Sequence, residues 1–274
     1  SLALPALQQV GSNGAYISNN PLLATVDIGA LRESTGQLYV GNNAALTTLS
    51  LPALTSIPNG LYVANNSALV SITAAALTAS SYSIYINDNS ALTSVAFSAL
   101  ASSNQLNVSN SPALTTLSFP ALQTAGANNF ASNGGLTSLS FPALTTLTSD
   151  LQIGQNASLT TVNLPVLATA SNQLRVNDNN ALTALTLPSL TSVGQLDVGN
   201  NTLLATLALP VLSSANYFYA QYNPALTSLT APSLAAVAND FQANGNTSLA
   251  CSQIALILGH VTVGNPPSYT SCVP

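Results

Sequence analysis

Few side chains in this sequence could perform acid–base or nucleophilic chemistry. Only 3% of the 274 residues are charged, and His260 is the single histidine. General acid–base catalysis needs a titratable group within hydrogen-bonding reach of a partner. No Ser, Cys or Asp stands at a spacing from His260 that indicates such a partner. We therefore predict that His260 is an ordinary surface residue, that there are no catalytic residues, and that the chain is not an enzyme.

The acidic residues are the next candidates, because two carboxylates can together cleave a glycosidic bond. Asp88 and Asp178 occupy equivalent positions in a repeat described below, but they lie four repeats apart. At the spacing of paired strands this is about 19 Å, too far for an acid and a base that cooperate. Each aspartate is flanked by asparagines only. One carboxylate is too little negative charge for a calcium-binding loop. We predict no metal site and no cofactor.

The two arginines are predicted to form ion pairs that stabilise the surface. Arg175 and Asp197 lie at the same outward position of adjacent repeats, with Asp150 on the preceding repeat. Opposite charges that face each other across a ladder contribute a few tenths of a kcal/mol. A second, local salt bridge is predicted within one repeat, among Asp27, Arg32 and Glu33.

A repeat of 22 or 23 residues positions all of these side chains. It is marked by a leucine, the anchor leucine, around which apolar residues alternate with small polar ones. This alternation is typical of half-buried strands. Two or three short strands per repeat, broken by Pro and Asn, predict about eleven coils of a parallel β-solenoid. The anchor leucines are Leu23, Leu46, Leu69, Leu92, Leu114, Leu136, Leu159, Leu182, Leu204, Leu226 and Leu249.

Three columns of equivalent positions support this stacking. Pro stands six residues after the anchor in seven coils and is predicted to end a strand there. The position eight before the anchor is apolar, except at Asn128, near which we predict an irregular coil. The position three before the anchor forms an Asn ladder, whose amides are predicted to bond the turn backbone. The Asn ladder, interrupted by Ser111, is Asn20, Asn43, Asn66, Asn89, Asn133, Asn156, Asn179, Asn201, Asn223 and Asn246.

The motif Leu-x-Val-x-x-Asn-x-x-Leu-x-x-Leu, followed by Leu-Pro-Ala-Leu-x-x-Val, resembles the receptor L-domain branch of the leucine-rich repeat superfamily. Leu61, Val63, Asn66 and Leu69 carry the match in one coil. The similarity covers roughly residues 1–258, and similar repeats occur in bacterial and fungal cell-surface proteins, where they serve binding, adhesion and structure. It implies an all-β solenoid over residues 1–250 and a C-terminal cap over residues 251–274. In that cap, Cys251 opens a helix around residues 254–258 and Cys272 closes back.

An outward column of tyrosines is the first candidate binding surface. Tyr16, Tyr39, Tyr62 and Tyr85 stand seven residues before the anchor on four consecutive coils, and we call them the tyrosine strip. Stacked tyrosines suit a parallel ladder through their β propensity and aromatic pairing. They also suit a surface that contacts sugar rings or a partner protein. The sequence leaves both interpretations open.

The positions two and four after the anchor form the second candidate surface, the hydroxyl face. Ser or Thr fills fifteen of its twenty positions, although no coil has Thr at both. A sheet of small hydroxyls resembles the ice-binding face of solenoid antifreeze proteins, but it equally keeps a charge-poor solenoid hydrated. The candidate ice-binding residues are Thr25, Thr48, Ser50, Thr73, Thr116, Ser118, Thr161, Thr186, Thr206 and Thr230.

Composition excludes several classes of partner. With no Lys and two Arg, the chain cannot neutralise the phosphates of a nucleic acid. No run of 18 apolar residues exists, so we predict no membrane span, and the first residues lack the basic region of a signal peptide. Two cysteines near the end predict one disulfide and an oxidising compartment. The sequence begins within a coil and without a cap, which predicts either that this end docks on another molecule through open strand edges or that further residues precede Ser1.

These observations predict a non-catalytic, secreted or cell-surface protein that works through its repeated faces. Its role would be adhesion, recognition of a protein or glycan surface, or end-to-end assembly with itself into a fibre. The tyrosine strip is the leading contact surface. The alternative function is ice binding through the hydroxyl face.

Overall fold

The computed structural model describes residues 1 to 273. It is a parallel β-solenoid of about 11 turns that is 3% helical, with a C-terminal disulfide, as predicted. The chain divides into two compact units, unit 1 (Ser1–Leu136) and unit 2 (Thr137–Pro274). Within each unit, every described strand pairing is parallel and joins residues about one coil apart in sequence.

Unit 1 contains fourteen strands. One parallel sheet has the order β14-β12-β10-β8-β6-β3, and a second has the order β13-β11-β9-β7; β1 pairs with β4 and β2 with β5. The strands are β1 (Leu2–Ala3), β2 (Gln9–Val10), β3 (Ala15–Ser18), β4 (Val26–Asp27), β5 (Glu33–Ser34), β6 (Leu38–Gly41), β7 (Thr48–Ser50), β8 (Leu61–Ala64), β9 (Ser71–Thr73), β10 (Ala79–Asn87), β11 (Ser94–Ala96), β12 (Ser102–Ser109), β13 (Thr116–Ser118) and β14 (Thr124–Ala131).

Unit 2 contains thirteen described strands and one helix. Its long-strand sheet has the order β27-β25-β23-β21-β19-β16, with β17 beside β19 and β26 beside β23; its short strands form the sheets β15-β18 and β20-β22-β24. The elements are β15 (Ser138–Ser140), β16 (Thr146–Leu147), β17 (Leu151–Gly154), β18 (Thr161–Asn163), β19 (Thr169–Asn177), β20 (Ala184–Thr186), β21 (Ser192–Gly199), β22 (Thr206–Ala208), β23 (Ser214–Gln221), β24 (Ser228–Thr230), β25 (Ala236–Val237), β26 (Phe241–Gln242), α1 (Cys251–Leu258) and β27 (Thr262–Val263).

Each coil changes direction at tight turns that the sequence encodes. After the ladder asparagine, the Leu46 N–H donates to the Asn43 carbonyl at 3.0 Å, and the short strand β7 follows. The next turn begins at Leu51, whose carbonyl accepts the Leu54 N–H at 3.2 Å. Pro52 is the second residue of this turn, where its fixed φ is favourable and its missing N–H costs nothing. The proline column therefore ends strands by closing turns.

A left-handed corner precedes every ladder position, and sequence reasoning did not identify it. The residue four before each anchor leucine has a positive φ, a conformation that costs about 1–2 kcal/mol for most L-residues and that Gly, Asn and Asp tolerate. Asp88 and Asp178 are two of these corner residues, so their equivalent positions reflect a backbone requirement. The corner residues are Asn19, Asn42, Asn65, Asp88, Asn110, Ser132, Gln155, Asp178, Asn200, Tyr222 and Gly245.

The core of each unit is a stack of aliphatic and phenylalanine side chains. In unit 1, Phe97 meets Phe119 edge-on with centroids 5.7 Å apart, and Phe119 lies 6.4 Å from Phe130. In unit 2, Phe218 and Phe241 stack at 4.9 Å with 7° between their planes. All five rings are at most 1% exposed. Each such side chain contributes about 1.5–3 kcal/mol by leaving water.

The coil around Asn128 is regular, so the predicted irregularity is wrong. Asn128 pairs with Leu106 in the continuous ladder between β12 and β14. Its side chain is 5% exposed, and its amide nitrogen donates to the Gly126 carbonyl at 2.6 Å. A local backbone partner therefore lets a polar residue occupy an apolar column without breaking the register.

The C-terminal segment covers the last coil of unit 2 with α1. The helix begins at Cys251 and ends at Leu258, and the disulfide to Cys272 closes a sequence separation of 21 residues. Its residues Ile254 and Ile257 are buried. The Gln253 side chain accepts the Leu229 N–H at 3.2 Å and donates to the Thr227 carbonyl at 2.7 Å. One amide thus bonds the edge of β24 as a neighbouring strand would.

Candidate functional site

The Asn ladder bonds each coil to the coil before it. Asn66 accepts the Asn43 N–H at 3.1 Å and donates to the Val40 carbonyl at 3.0 Å. Asn201 does the same in unit 2, accepting from the Asn179 N–H at 2.9 Å and donating to the Val176 carbonyl at 2.8 Å. These backbone groups lie at the left-handed corner, where the regular ladder is interrupted. The Asn ladder is therefore a structural device, since an unpaired buried backbone group costs about 1–3 kcal/mol.

Asn20 differs from the rest of the Asn ladder. Its side chain is exposed, whereas the other nine ladder asparagines are 0% exposed. Its amide nitrogen donates to the Ser18 carbonyl of its own coil at 2.7 Å. The side chains of Asn43 and Asn201 instead donate to carbonyls 26 and 25 residues earlier in the chain. The Asn20 backbone N–H donates to the Asn43 side chain at 3.1 Å, and this bond joins its coil to the next one.

The predicted ion pair across the ladder is present. Arg175 faces Asp197 in register, and its Nε lies 3.0 Å from the Asp197 Oδ2. The side chains are 37% and 15% exposed, so the pair contributes at most about 1 kcal/mol. Asp150 lies two positions away from this column, and its Oδ1 accepts the Gln173 N–H at 3.1 Å.

The predicted salt bridge near the start of unit 1 is not found. Within the described part of the chain, no ion pair joins Arg32 to Asp27 or to Glu33, unlike Arg175 and Asp197. Asp27 accepts the Gly29 N–H at 3.2 Å, which closes a local turn. Arg32 is exposed and Glu33 is half-buried in β5. The hydrogen bond between Asp27 and the nearby backbone competes with a surface ion pair to Arg32. The ion pair would add little free energy of stabilisation in water, so the local turn forms instead.

His260 follows the end of α1 and is exposed. Its Nδ1 lies 3.0 Å from the Leu256 carbonyl. Across the described residues, no group of three or more His, Cys, Asp or Glu side chains could hold a metal ion. The same part of the chain contains no helix long and apolar enough to cross a membrane.

The tyrosine strip lies on the long-strand sheet of unit 1, and its four members pair in register. The rings of Tyr16 and Tyr39 have centroids 6.3 Å apart, whereas those of Tyr62 and Tyr85 stack at 5.5 Å. Tyr16 is 62% exposed, and the other three are half-buried. The structure therefore brings all four predicted residues into one row that consists of two ring pairs.

Two glycines explain why the row is divided. The Tyr39 ring leans over Gly41, and the Tyr62 ring leans over Gly60, since a Cβ atom at either glycine would collide with that ring. Gly41 follows its tyrosine by two residues and Gly60 precedes its own by two, so the rings lean in opposite directions along the strand. Among the described residues, no ring contact joins Tyr39 to Tyr62. The strip therefore consists of two ring pairs on neighbouring coils.

The four strands that carry the tyrosine strip contain no Asp, Glu, Lys or Arg. Burial raises the pKa of Tyr62, an effect that a hydrogen bond with Ser83 partly opposes. In unit 2 the equivalent column is polar and charged, because Arg175 and Asp197 occupy it. There the Tyr219 hydroxyl donates to Asp240 at 3.3 Å, and burial and the nearby carboxylate raise the Tyr219 pKa. A row of neutral rings is therefore a property of unit 1.

The hydroxyl face lies on the short strands. In unit 1 its outward residues on β7, β9, β11 and β13 align in two rows. None of the candidate ice-binding residues is buried. In unit 2 the face is divided, because the ladder between β15 and β18 does not continue into the sheet β20-β22-β24. The candidate residues Thr161 and Thr186 therefore lie on separate sheets.

A further groove lies along the corners of unit 2, and we call it the corner groove. Its volume is about 510 Å³, and its lining includes Asp178, Asn180, Asn200, Thr202 and Tyr222. Sequence reasoning missed it because Asn and Asp at these positions are also good turn residues. The one available signal was Tyr222, an aromatic residue at a position where other coils carry Asn, Asp, Ser, Gln or Gly.

Comparisons with known proteins show no family for this chain. No protein-family model matches it, and no curated protein matches it. Among solved structures it is similar to a leucine-rich repeat protein from Bacteroides ovatus, with 12% sequence identity and a TM-score of 0.25. That similarity covers 95% of this chain and 78% of the other. The repeat-solenoid fold is therefore assigned from the strand register of this chain itself.

Proposed function

We propose that this chain is a non-catalytic binding or structural protein that acts in an extracellular or cell-surface setting. Its main contact surface would be the tyrosine strip, and its partner an extended polysaccharide or another protein surface. The observation that carries the proposal is the row of four in-register phenol rings on an uncharged sheet. The disulfide and the resemblance of the repeat to receptor L-domain repeats support the setting.

The geometry of the tyrosine strip suits a partner with flat apolar faces and hydroxyl groups. Phenol rings combine apolar area with a polar tip, and few rotatable bonds limit the entropy that binding removes. The residues beside the rings are small, such as Gly41, Gly60 and Ala64, so a partner can approach the ring faces.

Retention on insoluble cellulose, chitin and starch tests this proposal. We expect the wild-type protein to be retained on at least one of them, because sugar rings would stack on the tyrosine strip. The double variant Tyr39→Ala with Tyr62→Ala should lose about tenfold in affinity, the equivalent of about 1.4 kcal/mol. Tyr269→Ala, which removes an exposed tyrosine of the C-terminal segment, serves as the control and should bind like wild type.

Two results would count against the tyrosine strip as a polysaccharide surface. One is equal retention of the double variant and wild type, with both shown to be folded by circular dichroism. The other is no retention of wild type on any of the three materials. Sedimentation that shows concentration-dependent association, lost in the double variant, would instead make a second copy of the chain the partner.

Ice binding through the hydroxyl face remains the second candidate function. The observation that favours it is the alignment of β7, β9, β11 and β13, which sets two straight rows of exposed or half-buried small residues in unit 1. These rows carry no charge. The Thr73 hydroxyl donates to the Ser50 hydroxyl at 3.4 Å, which joins neighbouring coils across the surface.

Thermal hysteresis measured on a nanolitre osmometer tests this second candidate. An ice-binding protein should shape ice crystals and show a freezing gap, because ordered surface water would join the lattice. Thr116→Lys places a long charged chain on β13, at the end of one of the rows, and should abolish the gap, whereas Thr161→Lys, on the separate sheet β15-β18, should reduce it. The absence of ice shaping in the wild-type protein would remove the candidate.

A further inference from the structure

We propose that the corner groove of unit 2 is a second binding site, specific for a neutral oligosaccharide. The groove follows left-handed corners of successive coils, at Asp178, Asn200 and Tyr222. Its members stack in register, since the Asp178 N–H donates to the Gly199 carbonyl and the Asn200 N–H to the Gln221 carbonyl, both at 3.1 Å. The inference goes beyond the proposed function, because the tyrosine strip lies in unit 1 and has no part in this site.

Tyr222 is the first observation that points to a ligand. It adopts a φ of 56°, a conformation in which a bulky aromatic residue is an outlier. The strain is about 1–2 kcal/mol, and 57% of the side chain remains exposed, so burial offsets little of it. Tyr222 thus destabilises a corner at which Asn would cost less. A role in binding a ligand explains why a tyrosine stands there.

The environment of Tyr222 holds its ring as a platform. The ring packs against the backbone of Gly245, where a Cβ atom would collide with it. Gly245 is itself a corner residue, with a φ of 74°. One side of the ring is therefore supported by the next coil, and the ring forms part of the groove lining. Aromatic faces supported in this way pack well against the C–H groups of a sugar ring.

The polar groups beside the ring match the hydroxyl groups of a sugar. Asn180 accepts the Thr202 hydroxyl at 3.1 Å, which orients the amide. Within residues 1 to 273, its NH₂ group donates to no recorded partner, and the side chains of Asp178 and Asn200 make no recorded hydrogen bond or ion pair. The groove thus offers the Asp178 carboxylate as an acceptor, the whole Asn200 amide, and the NH₂ group of Asn180 as a donor. Hydroxyl groups that donate to a carboxylate make short, strong hydrogen bonds.

Charge restricts the ligand to neutral sugars. Apart from His260, Arg175 is the basic side chain of unit 2, and its Nε is engaged by Asp197 at 3.0 Å. Asp178 therefore stands in the groove without a neutralising cation. Uronic acids, sulfated sugars and phosphates would meet this carboxylate and are disfavoured by repulsion.

Isothermal titration calorimetry with neutral hexasaccharides of glucose, N-acetylglucosamine, mannose and xylose tests the site. We expect the full chain to bind at least one of them. Tyr222→Asn should weaken that binding at least about tenfold while the melting temperature stays equal or rises, because Asn relieves the strain at the corner. Asp178→Asn keeps a residue suited to the corner and should weaken binding about tenfold as well, through loss of the charged acceptor.

Two controls separate the site from the fold and from the tyrosine strip. Asp88→Asn makes the same change at the equivalent corner of unit 1 and should bind like wild type. The double variant Tyr39→Ala with Tyr62→Ala should also bind the hexasaccharide like wild type, even if it no longer binds insoluble polysaccharide.

Three outcomes would overturn the proposal. They are an affinity unchanged by Tyr222→Asn, no binding of any hexasaccharide by wild type, and a fall in melting temperature in Tyr222→Asn, which would give the ring a structural role. Binding that is lost only in the tyrosine-strip variant would place the ligand there instead.

Discussion

Replacing Asn201 with alanine is expected to lower the free energy of unfolding by about 2–5 kcal/mol. The substitution leaves the Asn179 N–H and the Val176 carbonyl without the amide that bonds both of them. Asn201 is 0% exposed, so water cannot easily replace it. Urea denaturation followed by circular dichroism measures the loss. The matched control is Asn172→Ala, at an exposed position of β19, which should change stability by less than about 0.5 kcal/mol.

The variant Asn201→Asp adds a test that depends on pH. A carboxylate at this position could still accept the Asn179 N–H, but it could not donate to the Val176 carbonyl. Burial favours the protonated acid, so its pKa in the folded state should exceed the unfolded value of about 3.9. The variant should therefore be most stable below about pH 4 and lose stability as the pH rises. A stability independent of pH, or an Asn201→Ala variant as stable as wild type, would contradict this account of the Asn ladder.

Replacing Phe218 with alanine is expected to cost about 3–5 kcal/mol. Phe218 is 0% exposed and stacks on Phe241 at 4.9 Å, so the truncation opens a cavity that two coils line. The neighbouring coils hold their own side chains in register and limit how far the cavity can collapse. The melting temperature and the urea midpoint should both fall.

Phe218→Leu is the control for this core prediction. The preceding coils carry leucine at the equivalent position, as at Leu174 and Leu196, so a leucine fits the backbone of the column. We expect a loss of no more than about 1.5 kcal/mol. If the alanine variant proved as stable as wild type, the stacked rings would contribute little to the core.

Much of the fold was predictable because the repeat places each residue type at a fixed offset. The anchor leucines fixed the coil length, and their alternating neighbours fixed which face of each strand is buried. The pairing of Arg175 with Asp197 followed from those offsets alone. The disulfide could be predicted without any structural information, because the chain contains two cysteines. The strand register therefore followed from sequence wherever one column repeats one residue type.

The features that escaped prediction depend on backbone conformation or on side-chain direction. A positive φ at Tyr222 cannot be read from a tyrosine, although Asn and Asp at the equivalent positions favour it. The opposite leaning of Tyr39 and Tyr62 depends on which neighbour is a glycine. The Asp27 carboxylate accepts the Gly29 N–H and does not pair with Arg32, because a local turn was available. These features depend on the residues a few positions away. A pattern of residue types does not show which of several nearby groups a side chain will contact.

The direction of the Asn ladder has a consequence for synthesis of the chain on the ribosome. The buried ladder amides bond the coil before them, so the corner groups of most new coils stay hydrated until the next 22 or 23 residues emerge. At about 5–20 residues per second, this delay is about one to five seconds per coil. The nascent solenoid is therefore expected to fold in the order of translation, and the newest coil is always the one that waits for its successor.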